Sequence, residues 1–224
     1  MVKAIFFDLF FTLVVPDYLD KDNEYDVLKL KKEEWESYAE NEELYKERAL
    51  GKIYDEVSIV EKIIELMSYE ATQEQITEIV SCRIDRMKRA LVTVDKVIID
   101  TIKSLKEFGI KICLISNADC IDCKFWNESP LSKFFDFVIF SCNVGMLKPE
   151  SEIYEFALEK IGVKPEDSIF VGDGGSEELF GAKRVGMKTV FTEYLDKKDD
   201  EKRKKLMLDA DYHIEKFNDL LDII

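Results

Sequence analysis

The sequence predicts an α/β protein: a doubly wound, mostly parallel sheet with an α-helical segment inserted after its first strand. Three observations predict it. Short apolar runs of strand length recur at residues 4–7, 110–115, 137–140 and 168–171, and such runs suit strands buried on both faces of a parallel sheet. Stretches of helical periodicity separate them, which points to right-handed crossovers. Residues 17–92 break this alternation with helical spacing alone and many Glu and Lys.

The first strand runs straight into Asp8. A carboxylate at the end of a buried strand is costly unless it is paired, metal-bound or used in chemistry. Ligands of open α/β sheets bind at the carboxyl ends of strands, so Asp8 is the first candidate site residue. Residues 16–92 follow as a helical cap, bounded by loops near Pro16 and Val94. Trp35, Tyr38, Ala39, Leu44 and Tyr45 suit short amphipathic helices, and Val57, Val60, Ile63, Ile64 and Met67 mark another. Thr72 with Gln75 makes a capping box, and Ile76, Ile79, Val80, Ile84, Met87 and Leu91 share the face that follows. Gly51 allows a tight turn, either an ordinary helix end or one that carries Lys52 toward a substrate.

Asp95 caps a helix through Val97, Ile98, Ile102, Leu105 and Phe108, closed by Gly109. The second strand ends at Ser116-Asn117, and the third leads through Cys142 to Lys148-Pro149. A helix over 152–161 stops at Gly162, and the fourth strand ends at Gly172-Asp173. A helix from Ser176 carries Leu179, Ala182 and Val185 and stops at Gly186. Residues 188–191 and 211–214 are short final strands, and the charged run 196–205 reads as a solvated helix or loop. The core is therefore 1–15 with 93–224, and the cap is 16–92.

At 224 residues and 46% hydrophobic, the chain can bury one large α/β core plus an insert. A net charge of −15 repels phosphate backbones and anionic membrane surfaces. The expected partner is a small molecule rather than a nucleic acid or a membrane, with the chain a monomer or a homodimer. Asp8 interrupts the first apolar stretch too early for a signal peptide, and no run reaches the roughly 20 residues of a membrane helix. Five cysteines, an odd number, read as reduced thiols of a cytoplasmic protein. Cys120 and Cys123 read as inert thiols, with a redox pair or a metal site including Cys142 as the alternative. His213 reads as structural, and Trp126 as packing or as a wall of the cap–core cleft.

Each strong strand ends in polar chemistry: Asp8 with Thr12, Ser116 with Asn117, Lys148, and Asp173. In a doubly wound sheet these ends share one edge. Two neighbouring carboxylates stay ionised most easily around a divalent cation. Oxygen ligands of this kind suit Mg²⁺ and a phosphorylated substrate. Lys148 then neutralises a phosphate or holds Asp8 ionised as a nucleophile, and Ser116 and Asn117 offer donors to anionic oxygens.

The arrangement resembles the haloacid dehalogenase-like (HAD) hydrolase superfamily. The matching pieces are Phe6-Phe7-Asp8-x-Phe10-x-Thr12-Leu13, Leu114-Ile115-Ser116-Asn117, Gly145-Met146-Leu147-Lys148-Pro149 and Val171-Gly172-Asp173, continuing through Glu178 to Gly186-Met187. Their order matches the family's four motifs, and the insert matches a C1-type helical cap on a Rossmann-like core. The resemblance implies that Asp8 is the nucleophile forming an aspartyl intermediate. It also implies that Thr12 orders its loop, Ser116 binds the transferring group and Lys148 balances charge. Mg²⁺ would be held by Asp8, the backbone carbonyl of Phe10 and Asp173, with Glu178 as a supporting acid behind them.

Phe10 departs from the family's phosphatases, where the residue two after the nucleophile is usually a second Asp acting as general acid/base. Loss of such help typically costs ~10²–10⁴-fold. The chain is then a phosphatase for leaving groups that need little protonation, a metal-independent 2-haloacid dehalogenase, whose branch has an aromatic residue here, or a binding module with little turnover. A C–P bond hydrolase is a further alternative; that branch uses a cap lysine, for which Lys52 is the candidate. The retained acids at both metal positions place phosphoryl chemistry first.

Overall fold

The computed structural model describes residues 2–224. β1 (Ala4–Phe7), β2 (Lys111–Ser116), β3 (Phe137–Phe140), β4 (Ser168–Gly172), β5 (Lys188–Thr192) and β6 (Tyr212–Ile214) form one parallel sheet. Its strand order is β3-β2-β1-β4-β5-β6, a Rossmann-like doubly wound sheet that reverses between β1 and β4. β1 lies at the centre and every residue in it is buried, as its unbroken apolar run requires. Its side chains alternate. Ile5 and Phe7 enter one core with Ile98, Ile102, Leu105, Phe217 and Leu220. Ala4 and Phe6 enter the other with Ile153, Tyr154, Ala157, Leu179 and Ala182.

Between β1 and β2 the chain forms α1 (Glu24–Val27), α2 (Lys32–Ala39), α3 (Glu42–Ala49), α4 (Glu56–Leu66), α5 (Gln73–Val92) and α6 (Lys96–Glu107). The capping box at Thr72 and Gln75 starts α5, and Asp95 caps α6. The first five helices of this set enclose their own apolar cluster, with Trp35, Ile59, Val60, Ile63 and Ile79 at its centre. Ile121, from beyond β2, is buried in that same cluster, and Phe10 packs against both it and the sheet core.

The later helices are α7 (Cys120–Cys123), α8 (Ser141–Val144), α9 (Ser151–Ile161), α10 (Glu178–Arg184) and α11 (Asp200–Leu206). The helix expected from Ser176 begins at Glu178. Ser176 and Glu177 take positive φ values of 50° and 48°, in a turn that the Glu178 carboxylate closes onto the Gly174 N–H at 3.1 Å. The run 196–205 is solvated as expected except at Lys198. α11 carries no buried residue, but Lys198 just before it is buried against the sheet edge.

The helical insert meets the sheet domain across a charged seam. Arg48 of α3 is 2% exposed. It donates to Asp119 at 2.6 Å, to the Ala39 carbonyl at 3.1 Å and to Glu40 at 2.9 Å. Arg83 of α5 donates to Asp119 at 2.6 Å and to Asp122 at 3.0 Å. Asp119 also caps α7, accepting from the N–H groups of Ile121 and Asp122. Together these donors hold the Asp119 carboxyl at about 2 in spite of its burial. Gly51 stands at the end of α3 with φ +71°, and a β-carbon there would lie 2.3 Å from the Cys142 carbonyl oxygen. Its turn thus serves a close backbone approach.

Candidate active site

The sheet register builds the site. Phe7 pairs with Leu114 of β2 and with Val171 of β4, so the three strands end on one line. The Asp8 N–H extends the ladder by one step, donating to the Val171 carbonyl at 3.0 Å. Asp8, Ser116 and Asp173 therefore leave the sheet at one edge, in the crevice where the strand order reverses.

Asp8, Asp173 and Glu178 place one oxygen each within 4.8 Å of the others, and all three residues are buried. Among the described residues, no other group of three metal-ligating side chains converges in this way. The Lys148 ammonium donates to Asp8 Oδ1 and to Glu178 Oε2, both at 2.5 Å. Glu178, expected behind the other acids, is thus a full member of the cluster. Gly172 makes this possible, since a β-carbon there would lie 2.0 Å from Glu178 Oε1.

Supporting groups fix each part. Thr12 Oγ1 donates to Asp8 Oδ2 at 3.0 Å. The Asn117 side chain brackets the backbone of Lys148, donating to its carbonyl at 3.0 Å and accepting its N–H at 2.9 Å. The Asn117 amide is consumed in placing the lysine. Ser116 is fully buried and its Oγ has no partner within the protein. The Gly175 N–H donates to Asp173 Oδ1 at 3.0 Å.

The electrostatics follow from burial and crowding. Burial raises the Asp8 carboxyl, Lys148 pulls it back, and the Asp173 charge raises it again. Burial and then the Asp8 charge push Glu178 well above the usual carboxylate range. Burial works against the Lys148 charge, but Asp8 and Glu178 outweigh it and the ammonium is held more firmly than a free lysine. Burial is the larger cause for both carboxyls, and the crowding of their charges adds to it.

A cavity of about 510 Å³ opens over these groups. Phe10, Asn117 and Lys148 line it from the sheet side, and Tyr18, Lys32, Tyr45 and Arg86 from the helical insert. Lys52 is exposed and does not reach it, because the turn at Gly51 faces the Cys142 carbonyl instead. Trp126 lies in the core, edge-on to Phe135 and Phe140 at 5.2 and 6.0 Å, and does not line the cavity. All five cysteines are free thiols, and Cys120, Cys123 and Cys142 do not converge into a metal-ligand set among the described residues. His213 bonds Glu193 at 2.7 Å and stacks on Phe191.

Three features of the site had no expectation behind them. Lys198 is buried, and its ammonium bonds Asp173 Oδ2 at 2.6 Å and also pairs with Asp196. Arg48 and Arg83 form part of the cavity wall while bound to Asp119 and Asp122. Glu193, at the end of β5, holds the loop that carries Lys198. Only the Asp119 cap, three residues before Asp122, left a trace in the sequence pattern.

A Rossmann-like sheet with an acid-rich crevice at its switch point defines the class: an α/β enzyme core that works at the carboxyl edge of its strands. Residues 2–186 match the haloacid dehalogenase-like hydrolases, and the chain belongs to that family. Glyceraldehyde 3-phosphate phosphatase of Methanocaldococcus jannaschii is 33% identical over 132 residues, covering 56% of this chain and 54% of that protein. The chain thus spans about half the length of such curated relatives. The 2-haloacid dehalogenase of Pseudomonas syringae pv. Tomato shares the fold with a TM-score of 0.68 at 19% identity, over 100% of this chain and 98% of that one. A HAD family enzyme from Bacteroides thetaiotaomicron, solved with magnesium and inorganic phosphate, gives 0.66 at 19% identity over 90% and 98%. The family thus includes both phosphatases and dehalogenases among the proteins this chain is similar to. Among the described residues, no helix is long and apolar enough to cross a membrane.

Proposed function

We propose that this HAD-like hydrolase removes or transfers a phosphoryl group from a small phosphorylated metabolite, with Asp8 as nucleophile, Mg²⁺ as cofactor and the helical insert as a cap over the reacting group. The observation that carries the reading is the convergence of Asp173 and Glu178 on Asp8. A set of hard carboxylate oxygens fits Mg²⁺, and a divalent ion would offset the burial and the crowding that together drive Asp8 and Glu178 upward. Asp8, Asp173 and the Phe10 carbonyl would hold it, with Glu178 beside them. Bound there, the ion supplies charge to the phosphoryl oxygens.

The chain's own residues do the rest. Thr12 and Lys148 hold the two oxygens of Asp8 in a fixed orientation, so the carboxylate meets the phosphorus without first being ordered. Lys148 offsets the negative charge of Asp8 and Glu178. The unpaired Ser116 hydroxyl is a ready donor to a phosphoryl oxygen. Phe10 lines the cavity and neither gives nor takes a proton, so leaving groups that depart as stable anions, acyl and aryl phosphates, are favoured.

The cavity weighs against dehalogenation. Arg48, Arg83 and Arg86 are the insert arginines at the cavity, and each is engaged within the protein: Arg48 by Asp119, Ala39 and Glu40, Arg83 by Asp119 and Asp122, and Arg86 by Glu24 and the Pro16 carbonyl. None of them is held ready for a substrate carboxylate. The test is a phosphorylated-metabolite panel with Mg²⁺, beside a chloroacid panel with EDTA. Phosphate release that depends on the metal and on Asp8 is expected; halide release that survives EDTA would overturn the reading.

A further inference from the structure

Lys198 is the one buried cation at the sheet edge that the reading above leaves without a role. It is 8% exposed, its ammonium bonds Asp173 Oδ2 at 2.6 Å, and it also pairs with the half-exposed Asp196. With the Gly175 N–H on Asp173 Oδ1, each oxygen of Asp173 already has one partner within the protein.

The position of Lys198 is built rather than incidental. Its backbone N–H donates to Glu193 Oε1 at 2.8 Å, and its carbonyl accepts from Arg203 Nη2 at 2.9 Å. Glu193 is fully buried and is itself gripped by Arg203 at 2.7 Å and His213 at 2.7 Å. β5, β6 and α11 thus combine to fix one loop, and that loop delivers one ammonium to one carboxylate. A flexible lysine in water spends rotamer freedom to form such a pair; here the backbone anchors have already reduced that cost.

We propose that Lys198 is a resident cation that competes with the divalent metal for Asp173, so that metal binding requires the ammonium to leave. This rests on the reading of Asp8, Asp173 and Glu178 as the ligand set. The Lys198 ammonium lies 2.6 Å from the Asp173 oxygen that would face the ion, and at that range its positive charge repels a divalent cation binding to the same carboxylate. The displaced ammonium has a second acid, Asp196, on the rim of the same cavity. The exchange therefore moves Lys198 from Asp173 to Asp196 without stranding a bare buried charge. The consequence is a metal site that is filled at high free Mg²⁺ and self-neutralised when Mg²⁺ is scarce.

The experiment is a direct titration of metal-free protein with Mn²⁺, following free ion by electron paramagnetic resonance, with Mg²⁺ added afterwards as competitor. Lys198→Met should bind Mn²⁺ about tenfold more tightly than the unaltered chain, the size of one modest ionic competitor. Lys198→Arg keeps the charge and should stay near the unaltered affinity. Lys202→Met, which removes a lysine from the same cavity wall, should also leave it unchanged. Unaltered or weaker binding in Lys198→Met overturns the proposal. Should that variant fail to fold, Arg203→Met decides instead. It frees the Lys198 carbonyl and should tighten Mn²⁺ binding in the same direction, and no tightening overturns the proposal. Asp173→Asn separates the two levels. If it binds Mn²⁺ as well as the unaltered chain, the ligand set is wrong and the competition falls with it. If it loses Mn²⁺ while Lys198→Met shows no gain, the ligand set stands and the competition alone fails.

Discussion

Two of the protein's buried charge clusters differ in their balance. At the seam, Arg48 and Arg83 face Asp119 and Asp122, two cations on two anions. At the sheet edge, Asp8, Asp173 and Glu178 face only Lys148 and Lys198, three anions on two cations. Glu40 and Asp196 lie at the margins of the two clusters and are far more exposed. At the seam Asp119 is held down at about 2 while burial and the Asp119 charge raise its neighbour Asp122, and at the sheet edge both Asp8 and Glu178 are driven up, burial first. A balanced cluster has nothing left to attract and serves to fasten one part of the molecule to another. An unbalanced one is held in the fold by its neighbours and gains most when a cationic ligand arrives.

That contrast can be broken by substitution. Asp8→Asn takes an anion from the deficient cluster, so turnover of every substrate should vanish while the melting temperature stays level or rises. Loss of folding in this variant, read by thermal melting, would remove the distinction between the clusters. Phe10→Asp does the reverse and adds an acid beside the deficient cluster. It should raise turnover of alkyl phosphates by about 10²-fold in a steady-state assay, at some expense in stability because Phe10 also packs between two apolar clusters. At the seam, Asp119→Ala leaves two buried guanidinium groups short of a partner and should cost about 3–5 kcal/mol by urea denaturation.

The pH response sharpens the same comparison. The Asp119 carboxyl falls from its ordinary 3.8 to about 2. Its contribution to stability is therefore full above pH 3.8 and is lost as the pH falls toward 2. Asp8 and Glu178 run the other way, from ordinary values of 3.8 and 4.5 upward. Ionised, they cost stability, and that cost fades as the pH falls through their raised values. Carboxyl-carbon NMR of the metal-free protein should show Asp8 and Glu178 taking up protons first and Asp119 last. Asp119 titrating with the surface acids would sink this account.

The sheet edge was legible in the sequence because each of its residues interrupts or ends an apolar run. Asp8 follows Phe7, Ser116 closes β2, and Asp173 follows Gly172; strong contrast between neighbours is what a one-dimensional pattern carries. Lys198 offers no such contrast. It stands among Asp and Lys residues, and its burial is decided by Glu193, Arg203 and His213 from other elements. Arg48 and Arg83 are hidden for the same reason, as charged residues on helices whose exposed faces are also charged. Lys52 shows the opposite error. The turn at Gly51 was readable, but its direction depends on the Cys142 carbonyl across the seam.

The central place of β1 has a consequence for how the molecule comes into being. Ala4 pairs with Lys111 on one side and Ser168 on the other, so the strand made first on the ribosome waits longest for its neighbours. The helical insert can collapse on its cluster, Ile121 apart, while β1 is still a lone apolar segment. Such long sequence separation slows assembly and prolongs exposure of sticky chain. Nascent chains halted just before Ser168 should therefore lean on chaperones far more than chains released whole.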